Sequence, residues 1–519
     1  MSFPGSLPIR TRRNRPAVTS PWVLALAAVS AGPLLPSGPA LAAQQQVIVS
    51  AVAEDPEVQA QIRLFTAWIE GQMESRDLPG LTVGVVADQE LAWARGFGYA
   101  DRERGVPMDP STRFRIASHS KLFAALAIVQ LRDDGLLRLE DPVSAHLPWF
   151  QVQPASDTDP PITIEELLTH SSGLPREADD HWTTMDFPTR EELRALMPER
   201  QAAFAPETRW KYSNLAFGVA GLLVEELTGM EWADYVEARI LRPLGMAATT
   251  VDQEDPGLAV GYGRRMPDGS REIMPFMDSR GMAAATGMTS NVEDMARFVS
   301  AQFRAYPTPG SGADGLESAG VGETHASGIL ADASLRQMHR IRRLETDWSR
   351  GSGLGFAVSR DGSQVLVGHG GGYPGYTTQT FFDLDRRVGV IVLTNAQDSG
   401  PAAIAAQLMA SVGDALAKAI HGEEPAVAWD PSWSRFAGLY RGRGGDQRVV
   451  ELHERLVILS LTAPTLENLI ELKPLGDGTF RYSAPTGGGP VGEVVRFVEE
   501  DGEVIRMITG DSFVERLRD

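Results

Sequence analysis

The chain has 519 residues, 43% of them hydrophobic and 22% charged, a globular composition long enough for two or three domains. Its 68 acidic against 48 basic residues leave a net charge of −20, which argues against a nucleic-acid partner. There is no cysteine, so disulfides, thiolate metal sites and a cysteine nucleophile are excluded, and the nine histidines show no H-E-x-x-H spacing.

Residues 1–42 carry Arg10, Arg12, Arg13 and Arg15 and no acid, then an apolar run from Pro21 to Leu35 and an exit at Ala40-Leu41-Ala42. Basic start, apolar middle and small-residue exit are the parts of an export signal, which predicts a periplasmic or secreted protein. Pro33 and Pro36 interrupt the run, which is too short to span a bilayer, so no stable membrane span is expected once the signal is removed. The bland alternative is a basic tail.

Residues 55–422 mix helical and strand patterns. Val58–Ser75 has apolar positions at helical spacing, whereas Leu81–Ala87 and Leu91–Gly96 read as adjacent strands around Asp88-Gln89. Thr378–Phe382 and Val388–Thr394 predict another hairpin, so strands lie at both ends of this region with helices between them. Pro307–Gly328 is rich in Gly, Ser and Pro and reads as a surface insertion. Ala402–Ile420 predicts a last helix, and His421–Pro431 a linker. Residues 432–519 then show short alternating runs, with Asp501-Gly502 as a hairpin turn, and predict a small antiparallel barrel or sandwich.

Three motifs carry chemistry. Ser118-His119-Ser120-Lys121 precedes the apolar run Leu122–Val129, so a helix would put Ser118 and Lys121 on one face and strip Lys121 of water. A desolvated lysine releases its proton more readily, and a neutral amine beside a serine hydroxyl can activate it as a nucleophile. Ser118 at the helix start also offers its backbone N–H to an oxyanion. Tyr212-Ser213-Asn214 supplies a phenol for proton relay and an amide able to hold a substrate; alone it reads equally as a buried Tyr and a helix-capping Asn. Gly368-His369-Gly370-Gly371-Gly372 lies before a strand, where small residues admit a ligand backbone and leave one N–H for an oxyanion hole, or else form a simple turn.

The order S-x-x-K, Y-x-N, H-G-G resembles the serine β-lactamase and penicillin-binding family, in its class C β-lactamase-like branch of D-aminopeptidases, class VIII esterases and related hydrolases. "FRIASHSK" (Phe114–Lys121), "LLTHSSGLP" (Leu167–Pro175), "LRPLGM" (Leu241–Met246) and "VGVIVLTN" (Val388–Asn395) agree with it. The resemblance implies an α/β (α+β type) fold: a mixed, mainly antiparallel sheet flanked by helices, with an all-helical lobe, plus the small C-terminal β domain. It implies Ser118 as acylated nucleophile, with Lys121 or Tyr212 as first proton acceptor and Tyr212 as proton donor to the leaving group. Asn214, His369, Gly370 and Gly371 would bind substrate, and the N–H groups of Ser118 and Gly372 would form the oxyanion hole. No metal or other cofactor is expected. The partner would be a small-molecule or peptide substrate, and the oligomeric state is not legible.

Many relatives carry Lys where this chain has His369. That departure favours an ester, an amide or an N-terminal D-residue over the carboxylate-bearing substrates of a β-lactamase or carboxypeptidase, because His is largely neutral at pH 7. A β-lactamase or carboxypeptidase is therefore the alternative reading, and a binding or sensor module on the same fold is the non-enzyme one. His170, in "LTHSSG", reads as a structural hydrogen-bonding residue.

Overall fold

The computed structural model describes residues 46–306, 327–346, 348–361, 364–421, 427–443, 445–460, 469–483 and 492–517. Residues 1–42, where an export signal is expected, and nearly all of the expected surface insertion Pro307–Gly328 lie outside them. Residues Gln45–Asp519 form one compact unit.

The centre of the body is a ten-stranded sheet. Its strands are β1 (Val47–Val49), β2 (Gly80–Ala87), β3 (Glu90–Asp101), β4 (Arg343–Leu344), β5 (Arg350–Ser352), β6 (Ala357–Asp361), β7 (Gln364–Tyr373), β8 (Tyr376–Asp383) and β9 (Val388–Thr394). They lie in the order β1-β3-β2-β9-β8-β7-β6-β5-β4, and Val106–Pro107 adds to β3. Every described pairing in it is antiparallel. β9 joins β2 across some 300 residues, so the sheet is assembled from both ends of the body, as the two distant hairpins predict.

Helices cover both faces. On one face, α1 (Pro56–Arg76) buries Val58, Ile62, Phe65 and Ile69, and α5 (Pro401–His421) buries Ile404, Leu408, Val412 and Leu416 against Val83, Val85, Val390 and Val392. Each such side chain contributes about 1.5–3 kcal/mol relative to exposure. Asp55 starts α1 by accepting from the N–H groups of Glu57 and Val58, with Pro56 as first helical residue. α5 is long and apolar enough to cross a membrane by length and composition alone, yet 56% of its apolar window is buried inside the protein.

On the opposite face Ile391 and Leu393 meet the helical lobe, built around α2 (Ser120–Asp133), α3 (Asn214–Thr228) and α4 (Val292–Arg304). A strand buried on both faces loses the alternating pattern, which is why β9 reads as a continuous apolar run. α2 is buried along Ser120–Leu131, so Lys121 enters the core with it.

The C-terminal strands close into a barrel of eight, from Gly438–Gly442 to Ser512–Arg516, sealed where Tyr440 and Arg441 pair with Arg516 and Glu515. Of the two alternatives, closure is the outcome. Three of the eight strands, Gly438–Gly442, Ile470–Pro474 and Ser512–Arg516, carry glycine or charged residues that break apolar alternation.

Candidate active site

Ser118 sits in a 3-10 turn, Ala117–His119, two residues before the start of α2 rather than inside it. Ala117 is held at φ 50°, a left-handed conformation that costs an alanine about 1–2 kcal/mol. The bend keeps Ser118 partly exposed while its neighbours Ala117, His119 and Ser120 are buried. Lys121, one turn on, is 0% exposed. Its Nζ lies 3.1 Å from Ser118 Oγ and donates to the Ala285 carbonyl at 2.7 Å. Burial drives its pKa well below 10.5, with Glu177 pulling it up and Arg176 pushing it down by smaller amounts.

Tyr212 arrives from the segment before α3, and its hydroxyl donates to Ser118 Oγ at 2.9 Å. The ring is clamped. His170 lies 4.3 Å away between centroids, Arg176 stands 5.0 Å over it, and Lys121 Nζ is 5.0 Å from its centroid. Burial is the largest influence on the phenol and raises its pKa, so Tyr212 holds its proton. His170 accepts the Ser213 N–H on Nδ1 at 3.2 Å, the structural role read from the sequence. Burial, and then the Lys121 charge, depresses its pKa far below 6.5.

Asn214 is the first residue of α3 and not its cap; Ser213 caps the helix by accepting from Ala216 N–H. Asn214 Nδ2 donates to both oxygens of Glu177, at 2.7 and 2.9 Å, and a carboxylate neighbour forces the nitrogen to that side. Asn214 Oδ1 is left buried with no partner. Glu177 belongs to a group that sequence reasoning missed. His181 Nδ1 meets Asp179 at 2.5 Å, and its Nε2 lies 3.2 Å from Glu177, off line for a hydrogen bond. Burial opposes the charge on His181, but the two carboxylates win and raise its pKa. The spacing Glu177-x-Asp179-x-His181 is the one signal that pointed to this cluster.

The third motif lies on β7. The hairpin to β8 closes on Tyr373 opposite Tyr376, around a two-residue turn. Alternation of bonded and open pairs then directs the N–H of Gly372 away from β8, and β6 pairs with β7 only as far as Gly368. The N–H of Gly372 thus faces the free edge of the sheet. Gly371 must be glycine: a Cβ there would collide with the Ile116 carbonyl and the Thr378 hydroxyl. His369 is 8% exposed and its Nδ1 lies 2.6 Å from the Gly370 carbonyl. Burial, aided by the Lys121 and His119 charges, lowers its pKa to about 3, so it is neutral at pH 7.

Ser118, Tyr212, Asn214, His369, Gly370, Gly371 and Gly372 all line one cleft of about 990 Å³, with Lys121 beneath Ser118. Among the described residues no group of three or more His, Asp or Glu is arranged to hold a metal.

Residues 65–414 match the family model described as Beta-lactamase. Protein flp of Staphylococcus aureus (strain MW2) is 31% identical over 199 residues, 37% of this chain and 40% of flp, so the chain spans well under half the length of that relative. Esterase EstB of Burkholderia gladioli is 33% identical over 370 residues, which cover 64% of this chain and 91% of EstB. Among solved structures, the octameric penicillin-binding protein homologue from Pyrococcus abyssi superposes with a TM-score of 0.58 at 24% identity, over 87% of this chain and 99% of its own. A D-stereospecific amidohydrolase from Streptomyces sp. gives 0.55 at 23% identity, over 69% and 98%. These two likenesses concern the fold.

Proposed function

Because the chain belongs to the Beta-lactamase family of serine hydrolases, we propose that it is an exported peptidase- or esterase-type hydrolase working through an acyl-enzyme on Ser118. The observation that carries this reading is the position of Ser118 Oγ between Lys121 Nζ and Tyr212 Oη, at 3.1 and 2.9 Å.

The opposed pKa directions divide the proton work. Neutral Lys121 takes the Ser118 proton as Oγ attacks the carbonyl carbon, since burial favours the uncharged amine. Tyr212, kept protonated by burial, passes its proton to the leaving group and recovers one from Lys121. The N–H groups of Ser118 and Gly372 receive the developing oxyanion. Asn214, fixed by Glu177, orients the acyl half of the substrate. Water then cleaves the acyl-enzyme and releases the acid. No metal or cofactor enters this scheme.

The neutral His369 gives a substrate carboxylate no charge partner, which favours an ester or simple amide over a β-lactam or D-Ala-D-Ala peptide. The likeness to an esterase over nine-tenths of that protein's length supports the same choice. Export rests on the composition of residues 1–42.

The test is incubation with a fluorophosphonate followed by peptide mass spectrometry, beside a panel of p-nitrophenyl esters, D- and L-aminoacyl amides and nitrocefin. We expect an adduct on Ser118, ester or amide turnover, and loss of both in Ser118→Ala with folding intact. Turnover unchanged in Ser118→Ala would overturn the assignment.

A further inference from the structure

A second cavity, of about 320 Å³, adjoins the cleft. Trp210, Tyr212, His369, Gly370 and Gln379 line both. Trp210 is pinned in that shared wall because its indole N–H donates to Ser352 Oγ on β5 at 2.9 Å. Beyond the wall the lining is largely apolar, with Leu168, Phe356, Val358 and Phe381. The rim carries one acid and one base, Glu345 and Arg350, so it offers no net charge.

Gly372 and Asn214 line the large cleft and not the small cavity. A carbonyl whose oxygen sits at the N–H of Gly372 therefore keeps its acyl substituent in the large cleft. The bond to be broken points toward the proton donor Tyr212, which lines the small cavity as well as the cleft. We infer that the small cavity receives the leaving group and selects a neutral, apolar one, the alkyl or aryl alcohol of an ester, over one bearing a carboxylate. This inference rests on the reading of Ser118 as the acylated nucleophile.

In the step concerned, Ser118 Oγ bonds to the carbonyl carbon and the ester C–O bond breaks. The alcohol departs with a proton from Tyr212, and water is the only co-reactant, consumed when the acyl group is released. His369 stays neutral in the shared wall, and Arg350, the one Lys or Arg among the residues lining the cavity, lies exposed at the rim with Glu345, so a carboxylate carried into the apolar interior would lose its hydration without meeting a buried cation.

The experiment is kcat/KM of the full chain for methyl, ethyl, butyl, benzyl and 4-carboxybenzyl acetates, with fluorophosphonate labelling of Ser118 in the same preparation. Since kcat/KM reports acylation, we expect a gain of about threefold to fourfold per methylene of the alcohol. The 4-carboxybenzyl ester should fall at least about tenfold below benzyl, in line with an unpaired buried charge. Ala357→Trp and Ala402→Trp place bulk into the cavity from two exposed positions on different elements, and either should collapse the benzyl-to-methyl ratio. A flat series with Ser118 labelled, or a ratio unmoved in a folded Trp variant, overturns the inference and leaves the acyl-enzyme reading standing. Absence of both labelling and hydrolysis overturns the two together.

Discussion

Tyr212 and Ser118 are 94 residues apart in the chain, yet the phenol hydroxyl donates to the serine hydroxyl at 2.9 Å. The contact exists because α2 and α3 pack side by side in the helical lobe, each carrying its functional group at its N-terminal end. Lys121 reaches the same hydroxyl from within the core.

Tyr212→Phe removes the hydroxyl and keeps the ring in its clamp of His170 and Arg176. We expect kcat/KM to fall at least about 10²-fold, in line with loss of a positioned proton donor, with little change in Tm. Because Lys121 is assigned as the titrating base, the acid limb of the pH profile should keep its position. A limb that disappears would make Tyr212 the first acceptor.

Glu177→Gln tests the charge behind the site. Activity needs neutral Lys121, so kcat/KM rises with pH through the pKa of that amine. Burial is the main cause of its low value, and Glu177 acts against it by favouring the ammonium. Removing the carboxylate should lower the pKa further and move the acid limb to lower pH. KM should rise as well, because one of the two oxygens that hold the Asn214 amide becomes an NH2 group, which cannot accept from it. The profile and the KM are read from one set of initial rates.

Gly371→Ala puts a methyl against the Ile116 carbonyl, which is backbone and cannot rotate away. β7 must then retreat from the turn that carries Ser118. Overpacking of this kind costs about 1–3 kcal/mol, and the shift separates the two N–H groups of the oxyanion hole. We expect a lower midpoint in urea and a loss of acylation of at least tenfold, measured by fluorophosphonate labelling rate.

His369→Lys should restore a cation where this chain has a neutral ring. Nitrocefin or benzylpenicillin should then acylate Ser118 at least tenfold faster relative to an ethyl ester than in the unaltered protein, as intact-mass spectrometry would register. An unchanged ratio would show that the substrate preference is set elsewhere.

Buried histidines make the fold acid-sensitive. Burial lowers the pKa of His119 to about 4 and of His339 and His369 to about 3. The unfolded chain binds these protons from about pH 6.5 downward and the folded chain does not, so stability falls as pH drops from 6.5 toward 3. Each contributes up to about 1.4 kcal/mol per pH unit in that window. His339 lies away from the cleft, with its ring nitrogens at Tyr306 Oη and Gln302 Oε1. His339→Gln should therefore flatten the slope of Tm against pH between 4 and 6.5, whatever it does to Tm at pH 7.

Much of this protein was legible from residue order alone. An apolar run after Ser118-x-x-Lys121 compels a buried helix, and a buried helix dehydrates its lysine. The paired runs Thr378–Phe382 and Val388–Thr394 dictate a hairpin whatever surrounds them, since period and turn are local properties. Other features have no local cause. Glu177 gains its role only because the loop after Pro175 folds back onto the first turn of α3, bringing a carboxylate to Asn214 across 37 positions. The small cavity depends on β6 ending its pairing at Gly368, which is a matter of register between strands. Closure of the C-terminal strands likewise turns on Tyr440 meeting Arg516 at the seam. Propensity and periodicity act between neighbours in the chain, whereas cavities, seams and the field felt by a buried amine are sums over neighbours in space.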